Sequence, residues 1–239
     1  MNRTSALACL LTLSLLAACG GPGIQRKDGS TSVRSFSIKD LAKSDVDSVV
    51  EIHQQEVIAS LKNLANRLYR RNPDEWRKSG FNSADEASAA LFKSLPLWHL
   101  STQRRLSWEA CLTDAGRPDF SGDRVKSMMN GLLVMHIAAF NHETEFYLLS
   151  ELSAQKFYNA ARNTEYVAWE LANRRDQHGK LLLQSSSLDE SSAASLSIER
   201  EFGKLIGIQD TLARIIEDKT NRAIRFGVVN TASKLFLPI

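Results

Sequence analysis

The chain has little cysteine, little proline, no strong charge of one sign, and no apolar run long enough to cross a bilayer. Cys9, Cys19 and Cys111 are its three cysteines, too few for a disulfide-stapled scaffold, so the fold must stand on a hydrophobic core. Its five prolines and twelve glycines fall chiefly between periodic segments, and the alternation of half-buried strands is missing, which argues against a β-sandwich or barrel. A formal charge of only +3 gives no basic field for nucleic acid. Also missing are a nucleophile elbow around serine, paired CxxC motifs, a phosphate-cradling glycine loop and a calcium loop. Those gaps weigh against an enzyme without excluding one, since catalytic carboxylates leave no local signature.

What is present begins at the N-terminus. Arg3 provides a basic start, an apolar run follows from Ala6 to Leu16 broken only by Thr12 and Ser14, and small residues come next. A bilayer span needs roughly 20 apolar residues, so this is an export signal and not a stable membrane helix. The signal ends in Leu16, Ala17, Ala18 and Cys19, followed by Gly20, Gly21 and Pro22.

That quartet resembles the lipobox of bacterial lipoproteins. The resemblance implies cleavage before Cys19 by the lipoprotein signal peptidase, a diacylglycerol on its thiol, and an acyl chain on its new amino group. No other cofactor is expected. Several acyl chains, at about 0.8 kcal/mol per buried methylene, make a durable anchor where one short chain is reversible. In Gram-negative lipoproteins an aspartate after the cysteine favours the inner membrane; Gly20 stands there, which implies the outer membrane, facing the periplasm. Cys111 is then the one thiol left, read as buried and inert, and the net charge falls to +2 when Arg3 departs.

Residues 1–18 are thus expected to be the signal, 19–37 a lipidated, Gly/Ser/Thr-rich flexible tether, and 38–239 a helical domain. Such a tether can extend on the order of 60 Å. The domain holds about 200 residues, enough for a substantial single core.

The periodicity predicts an all-α, bundle-like domain of six to eight helices. Val46, Val50, Val57, Leu61, Leu64 and Leu68 put one stripe on a helix from Asp45 to Arg71. Asn72, Pro73 and Glu75 are expected to open a second helix by side-chain capping, and Ser83 with Glu86 a third. Another helix is expected over Thr102 to Thr113. The long stretch from Ser121 should break near Asn141 and Ser150 to Ser153, before a helix with Phe157, Ala161, Ala168 and Ala172 on a narrow face. Gln177 to Ser187 reads as a connector, with Ser187 and Glu190 spaced as a capping box. The closing helix runs to about Arg225, where Gly203 and Gly207 either permit close packing or mark a break. The apolar tail from Leu235 to Ile239 is expected to dock on the domain.

Two histidines interrupt apolar faces. His53 falls between Val50 and Val57, and His136 between Leu132 and Phe140; Glu56 or Glu143 would serve as a partner. His53, His136 and Glu143 form the candidate ligand site, although a structural role is favoured and the paired Glu-x-x-His motifs of di-iron bundles are missing. His142, Glu143 and Glu145 begin like a zinc-protease motif, but Phe146 replaces its second histidine. Arg70/Arg71, Arg104/Arg105, Arg174/Arg175 and Trp76 between Arg71 and Arg77 can hold an anion, but are more simply solvated. Trp98, Trp108 and Trp169 read as core or boundary aromatics.

The leading expectation is a non-enzymatic envelope lipoprotein that binds a protein partner or stabilises an assembly. The alternatives are a periplasmic binding module for lipid, peptidoglycan or metal, and an envelope hydrolase.

Overall fold

The computed structural model describes residues 24, 25, 29, 31, 32, 45–143, 152–185 and 196–235, with side chains in the last helix described through residue 220. Leu16 to Cys19, Ser187, Glu190 and the tail beyond Leu235 lie outside the described residues. The chain divides into an N-terminal unit to Asp45 and a helical unit from Val46. In the N-terminal unit, within the segment expected to be a tether, β1 (Ile24–Gln25) pairs antiparallel with β2 (Thr31–Ser32). Gly29 takes φ +81° in the intervening turn, a region open to glycine at little cost.

The helical unit is all-α. Among the described residues it contains α1 (Asp45–Arg71), α2 (Pro73–Lys78), α3 (Ala84–Leu91), α4 (Trp108–Gly116), α5 (Arg124–Ala139), α6 (Ala154–Asn173) and α7 (Ser197–Leu235). Two 3-10 segments follow α3, Leu95–Leu100 and Gln103–Arg105, and the second occupies the start of the helix expected from Thr102. That helix instead begins at Trp108, because the Ser107 hydroxyl accepts the Ala110 N–H at 3.1 Å and caps it there.

The α1 stripe is buried as the spacing predicts, at Val50, Val57, Leu61, Leu64 and Leu68. Each such leucine contributes about 2 kcal/mol by leaving water. α5 is buried on nearly all sides, from Val125 through Met129, Leu132 and Leu133 to Ala139, as a central helix must be. α4 and α6 pack on it, and α7 lies along α6. α7 also runs antiparallel to α1, since Arg71 donates to Ser197 Oγ while Lys219 pairs with Asp47 at 3.2 Å.

Several local expectations are corrected. Asn72 does not cap α2. Its amide instead imitates a backbone unit, accepting the Gln184 N–H at 2.8 Å and donating to Gln184 O at 3.1 Å, which clamps the connector after α6. Glu75 likewise reaches away from its own helix start, accepting the Arg124 N–H at 2.6 Å and the Lys78 ammonium at 2.8 Å. Ser83 does cap α3, accepting the Glu86 N–H at 3.1 Å, and Glu86 returns to Asn82 N. α5 ends where the break at Asn141 is expected. His142 N–H bonds to Ile137 O and Asn141 N–H to Ala138 O, with Asn141 at φ 56° in the place glycine usually fills.

On α6 the small-residue face shifts: Phe157, Ala160, Ala161 and Thr164 are buried, whereas Ala172 is exposed. α7 continues to Leu235 without a break. A methyl group at Gly203 or Gly207 would meet nothing within 4 Å, so neither glycine serves close packing. Replacing each by alanine is expected to stabilise the fold by about 1 kcal/mol. Urea denaturation of the double variant checks this; an unchanged or lowered midpoint contradicts it.

Candidate functional site

The histidine site suggested by the sequence is not assembled. The inward positions of α1 follow Val50, Gln54, Val57 and Leu61, so Gln54 and not His53 fills the gap in the stripe. Gln54 donates to the main-chain carbonyl of Glu143 at 2.7 Å, which brings the backbone of residue 143 beside α1. His53 turns its Nδ1 to its own helix, at 2.7 Å from Val49 O.

His136 is fully buried, with Nδ1 donating to Leu132 O at 2.7 Å. That bond fixes the neutral tautomer with Nε2 unprotonated, 3.3 Å from the oxygen of the Thr164 hydroxyl on α6, which donates its proton to Ala160 O at 2.7 Å. Burial drives its pKa down to about 4. The imidazole is a neutral strut between α5 and α6, closed to solvent. Among the described residues no group of three or more His, Cys, Asp or Glu side chains is placed to hold a metal ion.

The structure opens a different site. α4, α5, α6 and the connector enclose a cleft of about 410 Å³, within the range typical of ligand pockets. Trp108, Leu112, Met128, Val167, Leu171 and Leu183 make its apolar lining, and Tyr166, Glu170, Arg174, Asn163 and Thr113 its polar part. Tyr166, Glu170 and Arg174 recur every fourth residue on α6 and so share one stripe. Tyr166 donates to Glu170 Oε1 at 2.9 Å, and Arg174 Nε pairs with Glu170 Oε2 at 2.7 Å.

Gly116, the last residue of α4, lets this carboxylate lie close; a methyl there would sit 3.2 Å from Glu170 Oε2. A carboxylate at a helix C-terminus meets the negative end of the dipole, and Arg174 offsets that repulsion. The bond to Glu170 raises the Tyr166 pKa, because ionising the phenol would cost the hydrogen bond and face the carboxylate. Both carboxylate oxygens are therefore occupied.

Other polar groups are open. The Asn163 amide, the Thr113 hydroxyl and the Trp108 indole N–H line the cleft and make no hydrogen bond among the described residues. The cleft thus joins an apolar floor to neutral donors and acceptors; Glu170 is paired with Arg174, while Glu109, which also lines it, accepts the Ser107 hydroxyl at 2.9 Å. One side is braced by Arg124, which donates to the carbonyls of Ala115, Arg117, Pro118 and Phe120 and so shapes the loop carrying Arg117 and Pro118.

The remaining candidates scatter. Arg70 pairs with exposed Asp85, and Arg77 with Asp74 while lying over the Trp76 ring at 4.8 Å. Arg175 donates to Gly179 O. Trp98 is core and Trp108 lies at the boundary, but Trp169 is 59 % exposed and stacks loosely on Tyr166 at 6.2 Å, outside the core or boundary place expected of it. Cys111 is only half-buried, and its thiol pKa is raised by burial and by Asp114, so little thiolate is present at neutral pH.

The every-fourth-residue spacing of Tyr166, Glu170 and Arg174 is the sequence signal that carries part of the cleft. Compared with protein-family models, curated proteins and solved structures, the chain has no match in any of the three.

Proposed function

We propose that the chain is an envelope lipoprotein held by acylated Cys19 at the outer membrane, facing the periplasm, and that its helical domain is a non-enzymatic module that grips a protein partner in the α4–α6 cleft. One observation carries the interaction reading: the cleft combines an apolar floor with unpaired amide, hydroxyl and indole groups, while Glu170 is held by Tyr166 and Arg174. An apolar side chain of a partner would fill the floor, and its peptide group would meet Asn163. The buried histidine is sealed from solvent and Glu170 is held by Tyr166 and Arg174, which favours binding over proton transfer at these two groups. The quartet Leu16 to Cys19 supports the anchor.

A photo-crosslinking residue in place of Asn163 tests this in cells at native abundance. It is expected to yield one recurrent protein adduct that is lost from the same residue at exposed His178. Equal labelling at both positions, or none at either, contradicts the reading.

A second reading is favoured by the cleft volume: a small amphipathic ligand, such as a lipid or peptidoglycan fragment, in the same place. Native mass spectrometry distinguishes it, since a retained small molecule adds a discrete mass that Leu112→Arg abolishes.

A further inference from the structure

The stretch that holds the two 3-10 segments between α3 and α4 carries three of the exposed leucines of the described protein. Leu97 is 60 % exposed, Leu100 70 % and Leu106 40 %, all within this one stretch. Scattered exposed leucines need no explanation, but three of them in ten residues form a patch. Trp98 sits between the first two and is buried, with its indole N–H donating to His142 Nδ1 at 3.4 Å. Gln103 fixes the other end, donating to Leu91 O and to Asn130 Oδ1. The stretch is therefore a rigid surface in which the tryptophan points inward and the leucines outward.

Its charge is of one sign. From Ala87 to Trp108 there is no aspartate or glutamate, while Lys93, His99, Arg104 and Arg105 all lie in this span and are exposed. Lys93, Arg104 and Arg105 form no ion pair among the described residues. Of the exposed arginines elsewhere, Arg70, Arg77, Arg117, Arg174 and Arg200 each pair with a carboxylate, whereas Arg175 and Arg214 form no ion pair among the described residues. Arg104 also lies near enough to His142 to help lower its pKa, together with Lys156 and after burial itself, so the positive field extends past the loop.

Exposed leucines and unpaired cations in one short stretch are the composition of an interfacial membrane contact, in which apolar side chains enter the acyl boundary and cations meet anionic headgroups. No described helix is long and apolar enough to cross a membrane, and this patch does not require one. We propose that the 95–106 surface docks on an anionic bilayer, inserting Leu97 and Leu100 while Arg104 and Arg105 contact lipid phosphates. The proposal rests on the membrane-tethered reading and adds to it: acylated Cys19 sets the compartment, and this patch sets which face of the domain meets the membrane.

The test uses the mature chain, residues 19–239 with Cys19→Ser, so that no acyl chain contributes. Co-sedimentation is measured with vesicles of phosphatidylcholine containing phosphatidylglycerol, and with phosphatidylcholine alone. Binding is expected to the anionic vesicles only, and to weaken as salt rises. Arg104→Gln/Arg105→Gln is expected to lower it about 30-fold, taking each cation as worth roughly a fivefold factor, and Leu97→Ser/Leu100→Ser roughly tenfold or more.

Circular dichroism of both variants must match the parent, which is expected because the four side chains are exposed. Equal binding by parent and variants, equal binding to both vesicle types, or binding to neither overturns the proposal. Self-association that Leu97→Ser/Leu100→Ser abolishes, without vesicle binding, would also overturn it by assigning the patch to a second copy. Failure here leaves the acyl anchor untouched, because that anchor is tested separately by the lipid on Cys19.

Discussion

Arg124→Met is expected to destabilise the domain by about 2–4 kcal/mol, the range for removing one side of a buried, charge-assisted network. Arg124 is only 6 % exposed. Its guanidinium donates to Ala115 O at 3.0 Å and to Pro118 O and Phe120 O at 2.9 Å, and also to Arg117 O. Methionine fills a similar volume but offers no donor, so four carbonyls lose their partner at once. Lysine retains the charge yet is a point donor without a planar fork, so Arg124→Lys should recover less than half of the loss.

The loss should appear as a lower urea midpoint with an unchanged slope. Because the same loop carries Arg117 and Pro118 into the cleft, adduct formation from position 163 should fall in parallel. A loss below about 1 kcal/mol would show that water replaces the guanidinium and that the loop does not depend on it.

His136 gives the second large effect, through pH. Its folded pKa lies at about 4, against an ordinary value of 6.5. The unfolded chain therefore takes up a proton between these values that the native state refuses. The stabilisation is fully present above pH 6.5 and is lost as pH falls toward 4, amounting to about 3 kcal/mol across that window. His136→Gln removes the titration and keeps an amide able to bond Leu132 O. Stability measured from pH 7 to pH 4 should drop about 3 kcal/mol further in the parent than in this variant, whose residual slope reports the carboxylates. Parallel slopes would mean that the imidazole can be protonated in place.

What the sequence revealed and what it hid divide along physical lines. α1 is legible from end to end because its period is expressed by residues that all go inward, and the break at Asn141 because asparagine tolerates left-handed backbone. The same period misplaces His53. Periodicity fixes an inward angle but not which of two adjacent polar residues occupies it, and Gln54 wins by reaching Glu143 O across the fold.

Asn72 and Glu75 fail as local caps for a related reason. Their side chains find partners at Gln184 and Arg124, far away in sequence, and tertiary hydrogen bonds override local ones. The cleft is the least legible feature, since it depends on α4, α5, α6 and the connector meeting. Only its Tyr166, Glu170 and Arg174 stripe is written in one segment. The exposure of Leu97, Leu100 and Leu106 is hidden because this stretch is irregular, with two short 3-10 segments and a non-helical Leu97, so no helical period assigns its leucines a side.

On the proposed reading the tether joins these features: the cleft would hold a partner near a membrane, and the leucine patch would present that cleft in a fixed orientation. The most direct measurement is mass spectrometry of the N-terminal peptide from protein purified out of the envelope. The account predicts a chain that begins at Cys19, bearing diacylglycerol on sulfur and an acyl group on nitrogen. A mature chain that begins at any other residue, or a Cys19 without lipid, would contradict it.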